Sequence, residues 1–343
     1  MFTPLLLATL TLLSPLRAAE PTRGLTPVGE ASAQQRVYGR RVALVVGIND
    51  FAEEGLSLRY AVPDAQSIAA VLEEQYGFEV IALYNSDASQ ESIRAVLEEL
   101  TSLGKEDGLL VFWAGHGTTM TDNAGNEMGY LLPWDGTMST ENAAQNISMA
   151  ELRRLLGERI EARHRLLIVD ACYSGLLSVR SATTLPPHDL AYVQNQLHRT
   201  TFQVLTAGQS DQTVLDGGLS GHSVFAGRLL EQLRQVEDFV TATELGVSVT
   251  RQVSQDAYDR GHQQTPTFNR IIGDGDFLLI PSNTVLDFST LPEHRLTPRG
   301  QRRAVASGTS LAIGAVGLLA AGLSASSYRN APLNEGSQPG LMA

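Results

Sequence analysis

The chain has little cysteine, little lysine and too little positive charge for a polyanion partner. Of its 343 residues one is cysteine, Cys172. A single thiol excludes an intramolecular disulfide and any multi-cysteine zinc site, and it leaves the redox compartment open. Lys105 is the only lysine; the other positive charges are arginine, and the formal net charge is −12. Nucleic acid is therefore not an expected partner, because phosphate binding needs a basic face. An acidic chain suits cationic substrates better, although bulk charge says little about a site. No HExxH, Walker A or GxGxxG pattern occurs, which removes the commonest metal and nucleotide signatures. No internal repeat is visible.

What is present is a core-forming chain with two apolar ends. Hydrophobic residues make up 43% of it, enough for a sizeable core. Residues 1–19 hold the run Leu5-Leu-Leu-Ala-Thr-Leu-Thr-Leu-Leu13, about as long as a signal-peptide core and too short to span a bilayer comfortably. They read as a signal peptide or N-terminal anchor, although no Lys or Arg precedes the run. Residues 20–39 read as a linker, 40–284 as the main domain, 285–303 as a second linker and 327–343 as a short tail. Residues 304–326 are uncharged over a length that can cross a membrane, so they are a transmembrane-helix candidate. Arg299, Arg302 and Arg303 precede that segment. By the positive-inside rule they would put the main domain in the cytoplasm. A cleaved signal peptide predicts the opposite. Both readings tie the chain to a membrane or the cell envelope.

Between the ends, apolar runs alternate with helical periodicity. Strands are predicted at 42–48, 79–83, 107–114, 165–170 and 202–207, with a closing strand at 277–280. Helices are predicted at 64–76, 90–103, from a Ser148 cap through 160, and at 222–233 and 242–258. A loop is expected from 115 to 128, followed by a short extended piece at 129–133. Strands alternating with helices of this length predict an α/β fold, with a mostly parallel central sheet flanked by helices on both faces.

Two of these strands end in reactive side chains. Leu109-Leu-Val-Phe-Trp113 runs into Ala114-Gly115-His116-Gly117. Leu166-Leu-Ile-Val169 runs into Asp170-Ala171-Cys172-Tyr173-Ser174-Gly175. Ligands of parallel sheets sit at the carboxyl ends of strands, where both side chains fall. A lone buried cysteine is usually a small hydrophobe, and a lone histidine is usually structural. Together at neighbouring strand ends they are the minimum kit for cysteine-nucleophile catalysis. The backbone N–H groups of Gly117 and Cys172 are candidates to hold a developing oxyanion. Ser174 fails as a rival nucleophile, because the hydrolase elbow needs glycine where Cys172 stands. Gly273-Asp-Gly-Asp276 is too short for a calcium loop and reads as a turn.

The chain resembles the caspase-like cysteine peptidase clan, in its metacaspase or bacterial orthocaspase branch. The resemblance rests on Val42-Ala-Leu-Val-Val-Gly-Ile-Asn49, Pro63-Asp64-Ala65, Phe112-Trp-Ala-Gly-His-Gly117, Gly129-Tyr-Leu-Leu-Pro133 and Asp170-Ala-Cys-Tyr-Ser-Gly175. Ser210-Asp-Gln-Thr213, Gly221-His-Ser-Val-Phe225 and Gly275-Asp-Phe277 add to it. True caspases carry Gln-Ala-Cys-x-Gly; Asp170 stands in place of that Gln, which favours the metacaspase side. The resemblance implies a caspase-like sandwich and a cysteine endopeptidase that cuts protein or peptide substrates after Arg or Lys. It implies His116 and Cys172 as a catalytic dyad, and Asp64 and Asp170 as the lining of the substrate pocket, with Asp211 a weaker candidate at its rim. The physics agrees, since two carboxylates can grip a guanidinium bidentately. As an alternative, Asp64 after Pro63 also fits a helix N-cap.

No metal ligand set and no cofactor are expected. Calcium-dependent metacaspases carry an acidic cluster where this chain reads Asn146-Ile-Ser-Met-Ala150, and an acid shortly after the cysteine, which is missing here. Arg180 and Arg199 are candidate self-cleavage sites. The rival reading is a non-catalytic, membrane-tethered caspase-like interaction module, opposed by the intact His116 and Cys172. A flavodoxin-type binding domain would need a phosphate-gripping loop after the first strand, and Gly47-Ile-Asn-Asp50 makes a poor one.

Overall fold

The computed structural model describes residues 37–121, 125–171, 185–209, 212, 214, 215, 217, 218, 221–288 and 291. Among them a six-stranded sheet forms the centre. Its strands are β1 (Arg41–Gly47), β2 (Glu79–Tyr84), β3 (Gly108–Ala114), β7 (His164–Asp170), β8 (Thr201–Thr206) and β10 (Thr267–Gly273). Across the sheet they run β10-β8-β7-β3-β1-β2. Five of them pair in parallel, and β10 closes the β8 edge antiparallel. β3 and β7, each flanked on both sides, are buried at every residue. That is why Leu109–Ala114 and Leu166–Val169 read as apolar runs rather than alternating ones.

Both faces of the sheet are covered. On one face Ala43, Val45, Leu110, Phe112, Leu166, Ile168 and Leu205 join a core with α1 (Ala61–Glu74), α5 (Val224–Arg234) and α6 (Ala242–Asp259). On the other face Val42, Leu44, Val46, Leu109, Val111, Trp113, Leu167 and Val169 pack with α2 (Gln90–Glu99) and α3 (Met149–Arg154). The alternation of strand side chains thus builds two cores from one sheet. Polar caps start the helices: Ser89, Ser148 and Ser223 each accept a hydrogen bond from a first-turn N–H, and Thr241 with Glu244 forms a full capping box.

The structure departs from the sequence-based expectations in four places. The stretch after His116 is not all loop, because β4 (Gly117–Thr121) pairs antiparallel with β5 (Glu127–Leu131), which also pairs with β6 (Ile147–Ser148). The expected closing strand shrinks to β11 (Leu278–Leu279), which pairs with β9 (Val240–Thr241) outside the main sheet. The true closing strand, β10, carries Asn269 and Arg270 and bulges between Arg270 and Ile272. Polar residues and a bulge are usual at a sheet edge, and they hide its strand pattern. The helix after Ser148 turns to a π-type turn at Leu155–Arg159, and a short helix α4 (Leu190–Gln196) forms ahead of β8, where none is predicted.

Among the described residues no helix is long and apolar enough to cross a membrane. The candidate segments at 1–19 and 304–326 lie outside the described residues.

Candidate active site

The carboxyl ends of β3 and β7 meet in register. Ala114 sits opposite Asp170, and the Gly115 amide donates to the Asp170 carbonyl oxygen at 3.2 Å. His116 follows two residues after Ala114. Cys172 follows two residues after Asp170, itself outside the described residues, as do Ser174, Arg180 and Asp211. Adjacent strands lie about 4.8 Å apart, so the histidine leaves the sheet one strand away from the point where the chain runs on toward the thiol.

His116 is half-buried, and its orientation is fixed. Its Nε2 lies 2.9 Å from the carbonyl oxygen of Leu56, in the loop between β1 and α1. Phe51 of the same loop packs against the imidazole, with ring centroids 5.1 Å apart. A carbonyl oxygen can only accept, so Nε2 carries the proton. In the neutral ring Nδ1 is then the basic nitrogen. The sequence offered only a dyad; the backbone oxygen of Leu56 is a third, orienting group, and no side-chain pattern could have announced it.

Gly117 is placed by the β4–β5 pairing. The Leu132 amide donates to the His116 carbonyl oxygen at 3.0 Å, and Gly117 pairs with Leu131. Gly117 and Leu131 therefore form the type of antiparallel pair that exchanges no hydrogen bonds, and the Gly117 N–H points away from β5.

Asp64 and Asp170 are brought to one residue, Ser223. Asp64 is 1% exposed and Asp170 7%. The Ser223 hydroxyl donates to Asp170 Oδ2 at 2.6 Å, and the Ser223 N–H donates to Asp64 Oδ2 at 3.1 Å. His222 Nδ1 donates to Asp64 Oδ1 at 2.6 Å. Asp64 does not cap its own helix: α1 begins after Tyr60 with no side-chain cap, and Asn49 Oδ1 accepts from the Val62 N–H instead. The carboxylate of Asp64 reaches across to the N-terminus of α5, where the helix dipole favours a negative charge. Burial raises the Asp64 pKa above the usual carboxylate value, while the Ser223 N–H and His222 pull it back. In the sequence His222 and Ser223 stand out only as part of the segment Gly221-His-Ser-Val-Phe225. The signal was Gly-His-Ser immediately before an apolar helix.

Gly47 allows α1 to come this close. A Cβ there would lie 2.5 Å from the Ala65 Cβ and 2.8 Å from the Ala61 carbonyl oxygen. Without glycine at the end of β1 the first turns of α1, and Asp64 with them, could not sit against the sheet.

Arg199 lies in the short connection between α4 and β8, where it is tied down. Its guanidinium pairs with Asp274, its N–H donates to the Gln196 carbonyl oxygen, and its own carbonyl oxygen accepts from buried His164 Nε2 at 2.9 Å. Gly273 ends β10 and the chain bends at Asp274 toward Asp276, which is fully buried and accepts from Gln203, Tyr192 and the Thr243 N–H. Among the described residues no group of three or more His, Cys, Asp or Glu side chains could hold a metal ion.

A mostly parallel sheet with helices on both faces, a histidine just past the end of one central strand and a buried carboxylate at the end of the next, defines a caspase-like α/β domain. The comparisons agree. The family described as "Caspase domain" matches residues 40–274, so the chain belongs to the caspase-domain family of cysteine peptidases. Among curated proteins it is 27% identical over 176 residues to Metacaspase-1 of Sclerotinia sclerotiorum, covering 45% of this chain and 39% of that protein. It is 30% identical over 175 residues to Metacaspase-1A of Aspergillus fumigatus, covering 47% of this chain and 40% of that protein. The match thus spans about two fifths of these relatives' length. Among solved structures, protein GSU0716 of Geobacter sulfurreducens aligns with TM-score 0.51 and 20% identity over 72% of this chain and 100% of that one. Caspase-1 of Spodoptera frugiperda aligns with TM-score 0.48 and 18% identity over 67% of this chain and 86% of that one.

Proposed function

We propose that this chain is a cysteine endopeptidase that cuts peptide bonds after Arg or Lys, with His116 and Cys172 as its catalytic pair. The observation that carries the reading is the convergence of Asp64 and Asp170 on Ser223, one strand away from the histidine. A basic substrate side chain gains charge-assisted hydrogen bonds from two such carboxylates, bidentate in the case of arginine. The distant metacaspase relatives support the same class.

The chemistry follows from the parts. The Cys172 thiol passes its proton to His116 Nδ1, which the Leu56 bond leaves as the basic nitrogen. The thiolate attacks the scissile carbonyl carbon, and the Gly117 and Cys172 amides hold the oxyanion. The imidazolium then gives its proton to the leaving amine as the C–N bond breaks. Water attacks the thioester, releases the acid product and restores the thiol. The apolar ends of the chain further suggest a membrane-bound or exported enzyme, a reading that rests on the sequence alone.

The test is a panel of fluorogenic peptides with Arg, Lys or Asp before the cut, run in EDTA and in calcium. The expected result is cleavage after Arg and Lys that disappears in Cys172→Ala. Cleavage that survives Cys172→Ala sinks the nucleophile, and a preference for Asp sinks the pocket.

A further inference from the structure

One titratable group beside the pocket, His222, has no part in the chemistry proposed for His116 and Cys172. His222 holds Asp64 at 2.6 Å while the next residue, Ser223, holds both Asp64 and Asp170. His222 is 18% exposed and Asp64 is 1% exposed. Two carboxylates sharing one residue in a buried place resist being ionised together, and one of them tends to take a proton. A protonated carboxyl is a poor partner for a cation, because it has lost its charge and turned one oxygen into a donor.

An imidazolium against two carboxylates leaves one net negative charge, which a single basic side chain neutralises. We propose that His222 is a positioning residue that keeps Asp64 and Asp170 ionised together, and that it thereby sets the preference for a basic substrate side chain. This inference rests on the peptidase reading given above.

The other charges around His222 do not replace Asp64 as its partner. The charged groups lining the groove that opens at His222 are Arg228, Glu231 and Arg234 of α5, Asp256 of α6 and Arg260 just after it. Arg228 bonds Asp256 at 2.7 Å and Glu231 at 2.6 Å, and Arg260 donates to the Gly217 carbonyl oxygen. Those two acids are thus already paired, whereas Asp64 and, through Ser223, Asp170 are the negative groups on the inner side of His222.

The variant that isolates the charge is His222→Asn, whose amide N–H can take the place of Nδ1–H without being able to titrate. With an Arg-terminated peptide, KM is expected to rise about tenfold at pH 6 while kcat stays within about twofold, and the acid limb of kcat/KM to move up by about one pH unit. His222→Gln gives a second folded, uncharged variant. In parallel, carboxyl-carbon NMR of the full chain carrying Cys172→Ala follows the Asp64 titration without any need for activity. Asp64 is expected to take up its proton at higher pH once His222 is replaced. An unmoved Asp64 midpoint, together with an unmoved KM and acid limb, overturns the proposal. If the wild type cuts after Asp or not at all, the specificity reading fails, and the Asp64 midpoint still decides whether His222 keeps that carboxylate ionised.

Discussion

His116 Nε2 lies 2.9 Å from the carbonyl oxygen of Leu56, and a backbone oxygen cannot be removed by mutation. It can be moved. Gly55, the preceding residue, has φ of +87° and no atoms within 4 Å of where a Cβ would be. Alanine fits the space but costs about 1 kcal/mol in that conformation. Gly55→Ala is therefore expected to shift the Leu56 carbonyl and loosen the imidazole. The reading to look for is a kcat lower by about tenfold with KM nearly unchanged and a thermal midpoint lower by only about 2–4 °C, as for a lost orienting contact. A kcat equal to wild type would show that the Leu56 oxygen does not hold the ring in its working orientation.

Ser223 does two jobs with one hydroxyl. It donates to Asp170 at 2.6 Å and accepts from the Ala226 N–H at 2.9 Å, capping α5. Ser223→Ala loses the cap, which typically costs about 1 kcal/mol, and leaves a buried carboxylate without that donor, which costs about 1–3 kcal/mol more. Urea denaturation is expected to show a loss of a few kcal/mol. The Asp64 contact with the Ser223 N–H is backbone and survives. A stability change under about 0.5 kcal/mol, the size of an ordinary surface substitution, would count against this double role of the hydroxyl.

Gly47 makes a third test, this time of the scaffold. A methyl group there would overlap Ala65 and the Ala61 carbonyl oxygen. Backbone cannot yield as a flexible side chain can, so Gly47→Ala is expected to push α1 off β1. Overpacking of this kind costs about 1–3 kcal/mol. Because Asp64 rides on the first turns of α1, KM for a basic substrate should rise more than kcat falls. A variant as stable and as active as wild type would show that the close approach is not needed.

The sheet was legible in the sequence because the middles of β1, β3 and β7 are buried on both faces and read as apolar runs, Val42–Val46, Leu109–Ala114 and Leu166–Val169. The strand ends carrying His116 and Asp170 followed from that reading alone. The edge strand β10 was not legible, since Asn269, Arg270 and a bulge break the pattern where one side meets solvent. β4 was hidden for a related reason: Gly117-Thr-Thr-Met-Thr121 has the alternation of a hairpin strand but few apolar residues. Asp64 was singled out by the family resemblance, yet its partners were not, because His222 and Ser223 stand 158 and 159 residues away. Contacts at that range have no local signature. The Leu56 carbonyl belongs to the backbone, which carries no residue-specific information at all.

The last prediction concerns pH and lies at the opposite end of the sheet. His164, the first residue of β7, is fully buried. Its Nε2–H donates to the carbonyl oxygens of Gln196 and Arg199, and its Nδ1 accepts from the Tyr38 hydroxyl at 2.7 Å, which in turn accepts from the Leu278 N–H. Every polar atom of the neutral ring is thus satisfied, and a proton on Nδ1 would face a donor. Burial accordingly pushes the His164 pKa down to about 4. The unfolded chain takes up that proton near pH 6.5, while the folded chain refuses it until about pH 4. More protons on the unfolded state mean that stability falls as pH falls through this window, by up to about 3 kcal/mol, and is fully present above it. His164→Gln cannot titrate. Whatever its absolute stability, its thermal midpoint should decline less than that of the wild type between pH 6.5 and 4. Parallel declines in the two proteins would mean that His164 is not the group that makes the fold sensitive to acid.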